Sequence, residues 1–190
     1  MDFSVTFLPS DSASIRRYHL FDDSGKLALI ADYGTPWLPF PQKHVRFALP
    51  SAVVVATMDL TWEEKGRGKG NGRQHIAYAI IKDHAVYAII NKYAEPDSDK
   101  AYFVLEVGDM LWLVLGKDSP DRRYNFYDQL PSDLLIHHRP NQLDLPEPIG
   151  HLYKGLGVYD YNVVIPEDLV ADPDLLSLAL IFLIDYIAEG

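Results

Sequence analysis

The chain has 190 residues, of which 48% are hydrophobic and 23% charged, the balance of one folded domain rather than of a disordered chain. Its 17 Lys and Arg against 27 Asp and Glu leave a net charge of −10, which excludes a general nucleic-acid binder, because phosphate neutralisation needs a basic footprint. Cysteine is absent, so disulfides, cysteine metal sites and thiol nucleophiles are excluded together.

The opening Met1-Asp2-Phe3-Ser4-Val5-Thr6-Phe7 has neither the basic start nor the apolar run of a secretory signal, and a cytoplasmic location is expected. Ile15 to Phe21 and Leu27 to Tyr33 read as strands around the turn Asp22-Asp23-Ser24-Gly25-Lys26. A loop with Pro36, Pro39 and Pro41 follows, since proline cannot donate to a central ladder. Val45 to Leu49 and Ala52 to Leu60 are the next strands, and Glu63 to Arg73, with four alternating glycines, reads as a mobile loop. Two hairpins come next. Ile76 to Ile81 and Ala85 to Asn91 are joined by Lys82-Asp83-His84, and Ala101 to Glu106 and Met110 to Leu115 by Val107-Gly108-Asp109. Short strands are expected at Tyr124 to Tyr127 and Leu134 to His137, and a last one at Gly157 to Ile165.

The C-terminal stretch reads as the one helix, Asp174 to Ala188. Asp172 suits its N-cap, Pro173 its first position, and Asp174 complements the helix dipole. Leu175 to Ile184 is apolar except for Ser177, too short for the roughly 20 residues of a membrane span, so no transmembrane segment is expected. A helix apolar on all sides must be surrounded by protein. A chain that is otherwise strands can do this by curling its sheet around the helix. The fold class is therefore mostly β (α+β), a closed barrel around a hydrophobic C-terminal helix, with residues 1–190 as one domain.

Two stretches carry a family resemblance. Val158-Tyr159-Asp160-Tyr161-Asn162-Val163-Val164-Ile165-Pro166, with Asp172 and the apolar helix after it, resembles the close of the tubby-like superfamily, in its branch of LURP-one-related and phospholipid-scramblase-like domains. Tyr18 to Leu29 resembles that family's strand–D-x-x-G–strand hairpins through Asp22 and Gly25. The resemblance implies a twelve-strand barrel around the C-terminal helix. The family's activities include phosphoinositide binding at membranes, calcium-linked lipid scrambling and plant defence roles, and fold alone does not choose among them. The cysteine-rich segment that scramblases acylate has no counterpart in a chain without cysteine.

Lys65, Arg67, Lys69 and Arg73 form the candidate anionic-ligand site, because cations among glycines can cradle a phosphate. A solvated hairpin loop is the plainer reading of the same residues. His137-His138 would point to opposite faces of a strand, which is poor geometry for one metal ion. Asp97-Ser98-Asp99 lacks the Gly and Glu that complete a calcium loop, and no metal or cofactor is expected. Asp160 and Asp185 are candidates for a buried carboxylate pair.

Charge is unevenly divided: residues 1–95 carry 11 Lys and Arg against 10 Asp and Glu, residues 96–190 only 6 against 17. The acidic half should repel nucleic acid and anionic lipid, so weak or no binding to anionic membranes is expected. Ile76 to Ile81, Ala85 to Ile90 and Met110 to Leu115 are apolar on both faces, whereas a barrel wall facing water should alternate. That pattern suggests a homodimer. The expected function is a non-enzymatic ligand-binding or protein-interaction module, its small ligand or protein partner unidentified. The alternatives are a phosphoinositide-associated or scramblase-like protein, and a hydrolase-type enzyme with a site assembled from separate strands.

Overall fold

Alternating side chains give nearly every strand one face that must leave water. A computed structural model describes residues 1–9, 16–33, 44–65, 74–94, 101–116, 123–128, 145–155, 160–166 and 170–188. Along these run β1 (Asp2–Pro9), β2 (Arg16–Phe21), β3 (Leu27–Tyr33), β4 (His44–Ala48), β5 (Val54–Lys65) and β6 (Gln74–Lys82). They are followed by β7 (Ala85–Ala94), β8 (Ala101–Val107), β9 (Met110–Gly116), β10 (Tyr124–Tyr127), β11 (Gly150–Lys154) and β12 (Tyr161–Val164). The helix α1 (Pro173–Ala188) closes the order.

Each strand pairs antiparallel with its neighbour in sequence, and β1 pairs with β12, from Asp2 opposite Val164 to Val5 opposite Tyr161. The sheet is therefore a closed barrel with no free edge. Ile165 N–H extends the seam by donating to the Met1 carbonyl oxygen at 3.1 Å. The inner face of the wall is largely apolar: Phe3 and Val5, Tyr18 and Leu20, Leu29 and Ala31, Val45 and Phe47 all join one core with α1, while the buried Lys92 shares the register of the core residues Ile76 and Phe103. Along α1, Leu176, Leu178, Ala179, Leu180, Ile181 and Leu183 are fully buried. The ring of Phe182 meets Tyr18 at 5.8 Å and Tyr33 at 5.6 Å. Ser177 is satisfied inside the helix, its Oγ donating to the Pro173 carbonyl oxygen at 2.6 Å.

Several expected boundaries move. The first residues form β1, because Phe3 and Val5 alternate with polar neighbours into the core. β11 is a further strand that short, Gly-containing sequence disguises. A Cβ at Gly150 would collide with the Val164 backbone oxygen, so this position needs glycine. β5 does not stop at Leu60. A register shift between Leu60 and Trp62 lets pairing with β6 continue to Lys65 opposite Gln74, so Glu63 and Glu64 are strand residues and not loop residues. The last strand begins at Tyr161, with Gly157 to Tyr159 outside the described residues, as is Leu134 to His137. Asp172 does precede the helix, and its carbonyl oxygen accepts from Leu176 N–H at 3.2 Å. Its carboxylate is held by Lys82 Nζ, 2.7 Å from both oxygens.

Burial contributes about 1.5–3 kcal/mol for each large apolar side chain. An unpaired charge at the helix centre opposes all of it. Leu180→Asp should therefore abolish the cooperative thermal melt seen by circular dichroism. Leu180→Met, which nearly keeps the volume, should cost under about 1.5 kcal/mol. A Leu180→Asp protein that melts cooperatively would show that α1 is not the core.

Candidate functional site

The antiparallel path gives the barrel two chemically different ends. The β2–β3, β4–β5, β6–β7 and β8–β9 turns lie at one, the turn end, where Lys82 meets the start of α1. Lys65, Gln74, Tyr124, Lys154 and Tyr161 are strand ends at the other, the loop end, which α1 reaches at Asp185. The candidate cations divide accordingly. Lys65 closes β5 at the loop end, and Arg67, Lys69 and Arg73 lie outside the described residues.

Inside the loop end, Asp185 is only 5% exposed and accepts a hydrogen bond from the Tyr161 hydroxyl. Tyr18 lies beside it. Burial, and then the negative charge of Asp185, push the Tyr18 hydroxyl well above the usual phenol range, with Arg16 acting in the opposite direction. Asp160 is exposed at the head of β12, so it forms no buried pair with Asp185. The partner of the buried carboxylate is a tyrosine of the neighbouring position, and the arrangement anchors the helix end to β12.

A second polar group crosses the outer wall over β6, β7 and β8. Asn91 faces outward yet is only 7% exposed. Its Nδ2 donates to Glu106 Oε1 at 2.6 Å. Its Oδ1 is therefore the acceptor toward His75 Nε2, 2.9 Å away, which places the hydrogen on Nε2. The His75 ring stacks on Tyr93 at 4.4 Å and 10°, and Tyr93 stacks on Tyr102 at 5.0 Å and 14°. These are direct cross-strand partners, His75 opposite Tyr93 and Tyr93 opposite Tyr102. Burial, followed by the Glu106 charge, raises the Tyr93 hydroxyl. The relay fixes the orientation and tautomer of one imidazole. No local motif announces it, because its members are 15 and 16 residues apart and meet only through the register.

On the outer wall the second apolar face of β9 is covered, whereas Ile76 to Ile81 and Ala85 to Ile90 contribute nothing to that cover. Val104, Leu113, Leu115 and Tyr127 form a second buried cluster with Tyr93, Tyr102 and Leu145 packed on it. Elsewhere, His151 lies in β11 beside the Tyr153 ring, its imidazole pushed down by burial and by Arg123. His137, His138, Asp97, Ser98 and Asp99 are outside the described residues. Among the described residues no group of three or more His, Asp and Glu is placed to hold a metal ion. Nor is any described helix long and apolar enough to cross a membrane. No protein-family model matches the chain, and neither does any curated protein or solved structure.

Two outcomes follow from these sites. The Tyr18 hydroxyl ionises near pH 10 in the unfolded chain and at higher pH when folded. Its contribution is thus complete below pH about 10 and is lost as pH rises beyond it, by up to about 1.4 kcal/mol per pH unit. Melting temperature should fall above that pH, and Tyr18→Phe should flatten the fall; an unchanged slope would remove Tyr18 as its source. Asn91→Leu should cost about 1–3 kcal/mol through the unpaired partners it leaves. It should also release the Nε2–H tautomer, read from the imidazole nitrogen shifts of His75.

Proposed function

We propose that the protein is a non-enzymatic ligand-binding or protein-interaction module of the tubby-like, LURP-one-related type, acting in the cytoplasm. The observation that carries this reading is that α1 fills the barrel. Recognition then falls to the ends and the outer wall. The order of elements supports the family part of the reading, since twelve strands close around a C-terminal apolar helix as the resemblance implies. Buried polar groups support the non-enzymatic part. Asp185 is engaged by Tyr161, Ser177 by the Pro173 carbonyl, and Asn91 between His75 and Glu106.

An enzyme assembled from separate strands has one specific observation in its favour, the oriented imidazole of His75. A single experiment separates the two. Compounds that raise the melting temperature in a small-molecule screen are incubated with the protein and recovered. A module returns them chemically unchanged. Turnover that His75→Gln abolishes would replace this reading with the enzyme.

The lipid alternative is weaker on charge. The four cations Lys65, Arg67, Lys69 and Arg73 contribute about 1 kcal/mol each at an anionic surface, roughly 4 kcal/mol in all, which is about millimolar affinity. Glu63 and Glu64 precede the cluster in sequence and oppose it. Phosphatidylserine or phosphoinositide vesicles should therefore not co-sediment with the protein at about 0.15 M salt, where exposed charges are screened beyond about 8 Å. Tight binding lost on changing Lys65, Arg67, Lys69 and Arg73 to Ala would establish the lipid reading instead.

A further inference from the structure

The outer wall buries much of its apolar surface, but the turn end does not. Val53, Val54 and Val86 are 57%, 50% and 59% exposed, and Leu49, Met110 and Leu111 are exposed as well. All six belong to the β4–β5, β6–β7 and β8–β9 hairpins, whose strands are consecutive neighbours in the wall. Val54 lies opposite Ala48 and Val86 opposite Ile81, each beside the turn of its own hairpin, and these turns share one end of the barrel. Single exposed apolar residues are ordinary, whereas a contiguous band marks an interaction surface.

The same turns carry backbone strain. Among the described residues the non-glycine positions with positive φ are Ala52, Asp83 and His84, at 66°, 52° and 63°. L side chains adopt this left-handed conformation only where neighbours hold it, and all three residues sit at the tips of the exposed hairpins. A two-residue β6–β7 turn with both residues left-handed would favour Asn-Gly. This chain instead presents a carboxylate and an imidazole there.

Charge selects the occupant. Asp83 and Asp109 stand exposed at two of the tips, and Asp23 in the next turn. Lys82, between the first of these and the wall, is engaged by Asp172. The band is thus apolar with an acidic margin. An anionic membrane is repelled by it. A second copy meeting it across a two-fold axis would bring the acidic margin against itself. A closed barrel has no edge to which a strand could add, so side chains must do the recognising.

We propose that the turn end is a docking surface for a cationic segment of a partner protein, with Lys or Arg interleaved among apolar residues. The proposal rests on the interaction-module reading and names its surface. The test titrates the isotope-labelled full chain with a synthetic amphipathic Leu–Lys peptide, its Leu–Glu counterpart and a Lys–Ser control. The Leu–Lys peptide should shift the amides of 49–54, 83–86 and 109–111. The double variant Val86→Ser, Asp83→Asn should weaken binding by about tenfold or more while melting as the parent does, since both side chains are exposed. The proposal is overturned by no Leu–Lys binding, by equal binding of either control peptide, or by concentration-dependent dimers in sedimentation that Val86→Ser breaks. Shifts confined to the loop-end strands would also overturn it yet leave the module reading standing. Chemical turnover of a bound compound would instead defeat that reading.

Discussion

Everything in this fold answers one constraint: α1 has no face it can show to water. Leu176, Leu178, Ala179, Leu180, Ile181 and Leu183 point around the full circumference and all are buried. A flat sheet covers one side of such a helix, and a sandwich covers two. A wall that closes on itself covers all of it and removes its own edges in the same step. The seam between β1 and β12 is therefore as necessary as any central pairing, because opening it exposes both an unpaired ladder and the helix.

Filling the lumen decides where chemistry can occur. The loop end receives Asp185, the buried carboxylate of the helix, and Tyr161 and Tyr18 meet it there in a buried polar layer. Burial alone would push Asp185 to find a donor, and a phenol supplies one without adding a second buried charge. The outer wall solves a different problem. Strands with two apolar faces need cover outside as well, and the cluster around Leu113 and Leu115 supplies it over β8 to β10. The His75–Asn91–Glu106 relay occupies the same wall, where partial burial makes each hydrogen bond count for more than it would in water.

Local chemistry made much of this legible from sequence. Pro173 after Asp172, the Asp22–Gly25 turn and the all-round apolar helix each act within a few residues, so their elements stand close to where composition places them. Asp22 Oδ1 accepts from Ser24 N–H and Lys26 N–H within its own turn, which explains why that hairpin is readable. What depends on register was hidden. The bulge at Leu60 to Trp62 carries β5 past an expected stop, and no residue type marks it. The cross-wall stack of His75, Tyr93 and Tyr102 exists only once three strands are aligned. β1 was missed because a short alternation at a chain start carries little signal until a partner such as β12 is known. For the carboxylates, spacing gave no way to tell that Asp185 turns inward to a tyrosine while Asp160 stays outside.

The turn end and the helix are mechanically one piece. Lys82 and Tyr87 flank the β6–β7 tip, and the ammonium of Lys82 lies 5.4 Å from the Tyr87 ring centre. Both groups face Asp172, the residue from which the helix starts: Lys82 grips its carboxylate, and burial with the Asp172 charge pushes the Tyr87 hydroxyl up to about 12. A half-buried ion pair of this kind is worth more than an exposed one because water screens it less. Asp83, His84 and Val86 are thus presented on a tip whose two ends are fixed to the core helix. Strained left-handed residues persist only where the surrounding structure over-determines them. The grip of Lys82 on Asp172 supplies that over-determination, so the constraint that hides the helix also holds the exposed tip in a single shape.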